Sequence, residues 1–249
     1  MTPFDAFAAL HVPGDPVVLF NVWDAGSAKA VAAAGAKALA TGSHPVADAN
    51  GWPDGEGVPI AFVLANARRV IAATELPVTI DFEGAYSTDP ETGGANVALL
   101  SETGAVGCNF EDQVIGGEGL HPVKEQARRI AAIRTAVGAG FFLNARTDLF
   151  LKHKPATHDA ALLDEGIERA LAFADAGASG FFAPRLGDLR LVEKLCKASP
   201  IPVNAIAFPG GPTRAQWASA GIARISHGPF PHKALMAQLT ENARAAISG

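Results

Sequence analysis

Acidic residues close two successive apolar runs in this chain. In "VTIDFEGAY" (78–86), Asp81 and Glu83 stand two positions apart where the run stops, and "VGCNFEDQ" (106–113) ends similarly on Glu111 and Asp112. Carboxylates carried into a half-buried place lose hydration and repel one another, so they need a cation, a donor or a proton. Two-residue alternation puts Asp81 and Glu83 on one face of a strand, with Glu111 ending the next. Three converging carboxylates without cysteine or paired histidines describe a hard-cation site, for which Mg2+ or Mn2+ is the fitting ion. On spacing alone a second reading stays open, in which the acids cap helices or pair with Arg146 and Arg185. Arg146, within "NARTD" (144–148), poses the complementary question. A guanidinium cannot shed its charge, so Glu111, Asp148 or a substrate carboxylate must meet it.

Other chemistries fit less well. A Schiff-base mechanism needs a lysine at a strand end, whereas the eight lysines fall on expected helices or well into loops. "FNVWD" (20–24) lacks the His-x-His of a binuclear hydrolase. One tyrosine and three tryptophans are few for a sugar groove flanked by two carboxylates. "PGGPTR" (209–214) follows the seventh apolar run, where many barrels hold phosphate, but reads more simply as a turn into a helix. His44 and His227 are placed to line a mouth. His11, His153, His158 and His232 read as surface or helix-end residues, and Cys108 and Cys196 as packing residues.

Something must bring these groups together. Apolar runs at 17–24, 38–43, 77–83, 107–113, 141–148, 180–185, 202–208 and 224–229 alternate with Ala- and Leu-rich amphipathic stretches such as 124–137 and 159–176. Near-continuous apolar character marks strands covered on both faces. Gly35, Gly104, Gly177 and Gly221 stand where helices should stop. Eight such units in 249 residues predict a (β/α)8 TIM barrel filling residues 1–249 as a single domain. The first strand runs into "WDAGSAKA", not the G-x-G-x-x-G of a doubly wound sheet. The suspicious polar residues then all collect at strand C-termini, the face where barrels keep their active sites.

Bulk composition agrees with a globular enzyme. The net charge of −5 and the absence of a basic cluster argue against a nucleic-acid partner. No apolar run approaches a membrane span, no leader is evident at the start, and two unspaced cysteines point to the cytoplasm.

The ordered set "NVWDAGSAKAVAAAGAKALATGS", "GWPDGEG", "LPVTIDFEGAYS", "GAVGCNFEDQ", "NARTD" and "GIARISHGP" resembles the isocitrate lyase/phosphoenolpyruvate mutase superfamily, nearest its short phosphonomutase-like branch. The resemblance implies a Mg2+ site held by Asp81, Glu83 and Glu111, largely through waters, with Asp54 supporting it. It implies a small 2-oxo or related carboxylate as substrate, met by Trp23, Gly26 and Ser27 and by the charge of Arg146. It also implies a homo-oligomer, although the last helix ends near the terminus, against a large helix exchange. Two departures bear on the chemistry. The loop "QVIGGEGLHPVKEQ" (113–126) lacks the acid cysteine of the family's lyases, and "FAPR" (182–185) lacks the histidine of its mutases. Glu118 and His121 are the titratable groups left in the shortened gate, with Lys124 just beyond it in the next expected helix. The expected function is a Mg2+-dependent lyase or decarboxylase working through an enolate. The alternatives are P–C bond chemistry on phosphonopyruvate-like acids and a catalytically silent metabolite-binding barrel.

Overall fold

The computed structural model describes residues 2–249. Eight short strands form one sheet: β1 (Val17–Leu19), β2 (Leu39–Ala40), β3 (Val78–Asp81), β4 (Gly107–Glu111), β5 (Phe142–Arg146), β6 (Gly180–Phe182), β7 (Val203–Ile206) and β8 (Arg224–Ser226). All neighbours are parallel, in the order β1-β8-β7-β6-β5-β4-β3-β2. The fold is the expected (β/α)8 barrel. It closes between β1 and β2 through a single bridge from Val22 to Thr41 instead of a ladder. There the Val22 N–H donates to the Ala40 carbonyl at 2.9 Å and the Gly42 N–H to the Val22 carbonyl at 3.3 Å.

Each expected run contains a strand, yet each strand stops short of its run. The interior positions are buried on both faces, which is why the runs read as continuous. Their last residues instead leave the ladder and turn over the barrel mouth. The helix stops hold: Gly35, Gly104, Gly177 and Gly221 all have positive φ. Gly177, at φ +100°, also packs so closely that a Cβ would lie 2.9 Å from Arg134 Cγ. Only glycine meets both demands at this stop.

A helix over Pro3–Ala9, capped by Thr2, plugs the N-terminal end of the barrel. Its Phe7 is fully buried and meets Phe142 edge-on at 5.3 Å. His11 stacks on Phe142 at 4.2 Å, with Nδ1 2.9 Å from the Phe7 carbonyl. His11 therefore stands at a helix end, one of the two places expected for it, but is buried there as a packing residue and not at the surface. Burial first, and the nearby Arg224 second, push its pKa down to about 3. His232 is likewise buried, edge-on to Trp23 at 4.8 Å. His11 follows the end of one helix and His232 lies in the first turn of another, and local sequence does not reveal that these turns face inward.

Candidate active site

Where the strands end, a cavity of about 380 Å³ opens, reached by Asn109 from within β4, by Asp81 and Arg146 from the ends of β3 and β5, and by Asn21, Ser43 and Arg185 from just past β1, β2 and β6. Asn21 closes the wall of this cavity. Its Nδ2 donates to the Thr41 carbonyl at 2.8 Å, and its Oδ1 accepts from the His227 and Gly228 amides at 2.8 Å each. One buried amide thus ties β1 to both neighbouring loops.

The acids come together on the β2–β5 side. Asp81 ends β3 and accepts from the Ser43 amide at 3.0 Å and from Asn109 Nδ2 at 3.2 Å. The orientation of Asn109 is dictated from below. Its Oδ1 accepts from Asn144 Nδ2 at 2.8 Å and from the buried Arg224 Nη2 at 3.2 Å, which leaves Nδ2 for Asp81. Glu83 reaches the group differently from the alternation rule. The strand stops at Asp81, and Glu83 takes a left-handed φ of +51° in the turn that follows. Its Oε1 accepts from the Gly55 and Glu56 amides at 2.9 Å each, and Tyr86 Oη donates to Oε2 at 3.3 Å. Glu56, Ala85 and Tyr86 are also left-handed. Non-glycine residues are rare there, and such strain gathers at functional sites.

Charge accumulates in this group. Burial, then proximity to Asp81 and Asp54, raises Glu83 to about 7 despite the two amides that oppose the shift. Burial raises Glu111 well above the usual carboxylate range, Asp148, Asp81 and Glu83 add to it, and Arg146 opposes it. Arg146 itself is largely committed. Nε and Nη2 grip Asp148 at 2.6 and 2.9 Å, and Nη1 meets Glu111 Oε2 at 2.9 Å. Both structural partners foreseen for it are used, while two N–H groups of the fork stay unassigned beside the cavity.

Do these groups suit a divalent cation? Among the described residues, no three acidic, histidine or cysteine side chains are arranged to ligate one ion directly. Mg2+ does not require that: it keeps several waters and takes one or two carboxylates. Asp81 faces the cavity, Asp54 lines it, and Glu83 and Glu111 stand behind, their pKa values raised by burial and by the other acids. The donor set fits a hydrated hard cation.

Several sequence candidates lie elsewhere. Trp23, Gly26 and Ser27 line a separate groove against the helix Phe230–Ser248. The Ser27 hydroxyl is spent on capping, accepting from the Trp23 and Asp24 amides at 3.0 and 3.1 Å and donating to Asp24 Oδ1 at 2.8 Å. Glu118 is exposed at the tip of its loop. His121 is buried beneath that loop, 3.8 Å from Glu125, its carbonyl accepting from Arg169. Neither lines the cavity. Thr213 of "PGGPTR" caps a helix, as the plain turn reading expects. The sequence reading left out Asn21, Asn109 and the Ser43 amide; a polar residue inside an otherwise apolar strand was the available signal for Asn109.

A sequence model described as phosphoenolpyruvate phosphomutase matches residues 7–247. The chain belongs to that family. It therefore sits in the isocitrate lyase/phosphoenolpyruvate mutase superfamily, whose Mg2+-dependent enzymes cleave or rearrange C–C or P–C bonds. A crystal structure from Burkholderia cenocepacia J2315, of a protein provisionally designated a phosphonomutase, shares 46% identity at a TM-score of 0.93, covering 99% of this chain and 98% of that one. The 2-methylisocitrate lyase of Escherichia coli K12 is 26% identical over 213 residues, 82% of this chain and 69% of its own. Phosphonopyruvate hydrolase, solved with oxalate and Mg2+, is alike in fold, with a TM-score of 0.86 at 20% identity over 100% of this chain and 88% of that one. No helix among the described residues is long and apolar enough to cross a membrane.

Proposed function

We propose that this barrel is a Mg2+-dependent carbon–carbon lyase or decarboxylase acting on a small 2-oxo or 2-hydroxy (di)carboxylate through an enolate, in the cytoplasm and as a homo-oligomer. The observation that carries the reading is the cavity wall itself. Asp81 and Arg146 face the same space from the ends of β3 and β5, on either side of β4, while Glu118 and His121 of the loop after β4 do not.

Asp81, with Asp54, Glu83 and Glu111 behind it, would hold the ion that superfamily members use, and the bound ion would supply a Lewis acid beside the 2-oxo or 2-hydroxy oxygen. The remaining work belongs to the chain. Asn109 and the Ser43 amide fix the Asp81 carboxylate, so its oxygens need not reorganise during reaction. The unassigned N–H groups of Arg146 offer positive charge where an oxyanion would grow. Breaking a bond α to the oxo carbon sends its electron pair into that oxyanion, and losing CO2 in this way asks for no proton donor at the moment of cleavage. A cleavage that leaves a carbanion remote from this pole requires an acid in the cavity; the loop after β4 supplies none, which leaves His44 and Lys233 as the proton donors in the lining.

The test is a substrate panel with Mg2+: oxaloacetate, methylisocitrate, dimethylmalate and phosphonopyruvate. Turnover of an enolate-forming C–C substrate above the Mg2+ background is expected. Efficient release of pyruvate from methylisocitrate with no oxaloacetate decarboxylation would overturn the enolate argument, and activity confined to phosphonopyruvate would move the assignment to P–C chemistry.

A further inference from the structure

The proposed cleavage leaves an enolate whose carbon must still take a proton. The guanidinium groups of Arg146 and Arg185 keep their protons, and Asp54 and Asp81 belong to the cation set. Of the two proton donors left in the lining, His44 is the better suited. An imidazole both gives and takes a proton near neutral pH, whereas an exposed ammonium such as that of Lys233 holds on to its own.

The placement of His44 suits the task. Ser43 and His44 open the helix Ser43–Ala49, and it is the Ser43 amide that donates to Asp81 at 3.0 Å. His44 therefore stands one residue from the donor that fixes this carboxylate, and it lines the same cavity. Pro45, Val46 and Ala47 are buried behind it. A Cβ on Gly42 would lie 3.1 Å from Pro45 Cδ, so the turn that presents the ring is closely packed.

The ring itself is uncommitted. His11, His121, His153, His158 and His232 each approach a carbonyl or carboxylate oxygen. Of the two histidines expected at the mouth, His227 leans on Phe20, ring centroids 4.9 Å apart, and is not part of the cavity lining. His44 is half-buried, with Nδ1 out of solvent and without a hydrogen-bond partner among the described residues. A histidine kept for architecture is tied down by such bonds, whereas one that trades protons with a ligand keeps a nitrogen free.

We propose that His44 is the catalytic acid of this barrel, delivering the proton that turns the enolate into the released 2-oxo acid. This rests on the reading of Asp81 and Arg146 as the pole where the oxyanion grows. When CO2 leaves, the electron pair of the broken C–C bond enters the enolate. The C–C double bond of the enolate then supplies the pair that takes a proton from the protonated ring, and the oxo group re-forms. Neutral His44 recovers its proton from water. With the acid placed here, the loop after β4 needs no cysteine.

The protonation can be read backwards without knowing the substrate. Neutral His44 should draw a C3 proton from pyruvate and, in D2O, return a deuteron. The Mg2+-loaded protein should therefore exchange the methyl hydrogens of pyruvate faster than Mg2+ alone, as followed by proton NMR. His44→Gln should slow that exchange by about 10²-fold or more, the usual contribution of a general acid–base, while binding oxalate with Mg2+ as wild type does by calorimetry. The ring signals missing from the His44→Gln spectrum should also shift in wild type when oxalate is added. Three results, each with oxalate bound, overturn the assignment: no exchange by wild type above Mg2+ alone, exchange that survives His44→Gln and falls instead in Lys233→Met, or His44 signals that ignore oxalate. If oxalate fails to bind wild type with Mg2+, the pole itself is wrong and the acid falls with it.

Discussion

At the N-terminal end of the barrel, Phe7, Phe142 and His11 pack ring against ring under the plug helix, and even the histidine is held neutral. At the C-terminal end, four residues around the acid wall hold left-handed backbones and two buried glutamates sit well above their ordinary pKa. The same strands supply both ends. One end gathers apolar surface and contributes stability; the other gathers like charge and strain, which subtract from it. Substitutions should therefore separate stability from activity according to the end they touch.

The largest effect is expected from Asp81→Ala. Turnover should fall by roughly 10²–10³ or more, the size of losing one preorganised electrostatic group, and Mg2+ binding in the presence of oxalate should vanish by calorimetry. Thermal unfolding without metal should stay level or rise, because one of the charges pressing on Glu83 is gone. Unchanged Mg2+ affinity would make the acid wall structural. Phe7→Ala is the counterpart: a loss of about 3–5 kcal/mol in denaturant unfolding, with kcat/KM of the folded fraction retained. A collapse of activity in that folded fraction would show that the two ends are coupled.

Arg146→Lys should cost about tenfold in kcat/KM, since an ammonium cannot reproduce the planar fork that spans Asp148 and Glu111. Full activity would reduce the arginine to a counter-ion. The smallest effect is a slope. His11 has a folded pKa of about 3 against an ordinary 6.5. Between those values the unfolded chain binds the proton and the folded one does not, so stability falls as pH drops, by up to about 1.4 kcal/mol per pH unit. His11→Leu should remove about one proton's worth of that slope in urea unfolding measured from pH 6.5 downward. An unchanged slope would mean the ring is protonated in place.

Much of this was legible in the residues. Double-sided burial makes barrel strands read as apolar runs, and glycine at helix ends marks each return to the sheet. Asp81 and Arg146, which meet at one cavity, were found because charge at the end of an apolar run is costly and conspicuous, whereas Asp54, which lines the same cavity, came only from the family resemblance. What escaped depends on backbone sign and local competition. Nothing in "TIDFEGAY" announces that Glu83 turns left-handed, so alternation placed it correctly near Asp81 for the wrong geometric reason. Ser27 and Ser43 follow strands in similar settings. Asp24, three residues before Ser27, claims its hydroxyl for a cap, whereas Ser43 presents its amide to Asp81 across the barrel mouth. Only tertiary structure tells these two serines apart.

The single Val22–Thr41 bridge has a consequence for how the chain comes into being. β1 has a ladder with β8 alone, so the first strand made must wait for the last. During synthesis β2 through β7 can zip in order, each against a neighbour already present, while β1 keeps a bare edge until nearly the whole chain has been made. A bare edge invites pairing with other nascent chains. The Asn21 tie, two residues past β1, bonds the Thr41 carbonyl on one side and the His227 and Gly228 amides on the other, and so locks that edge once β8 arrives.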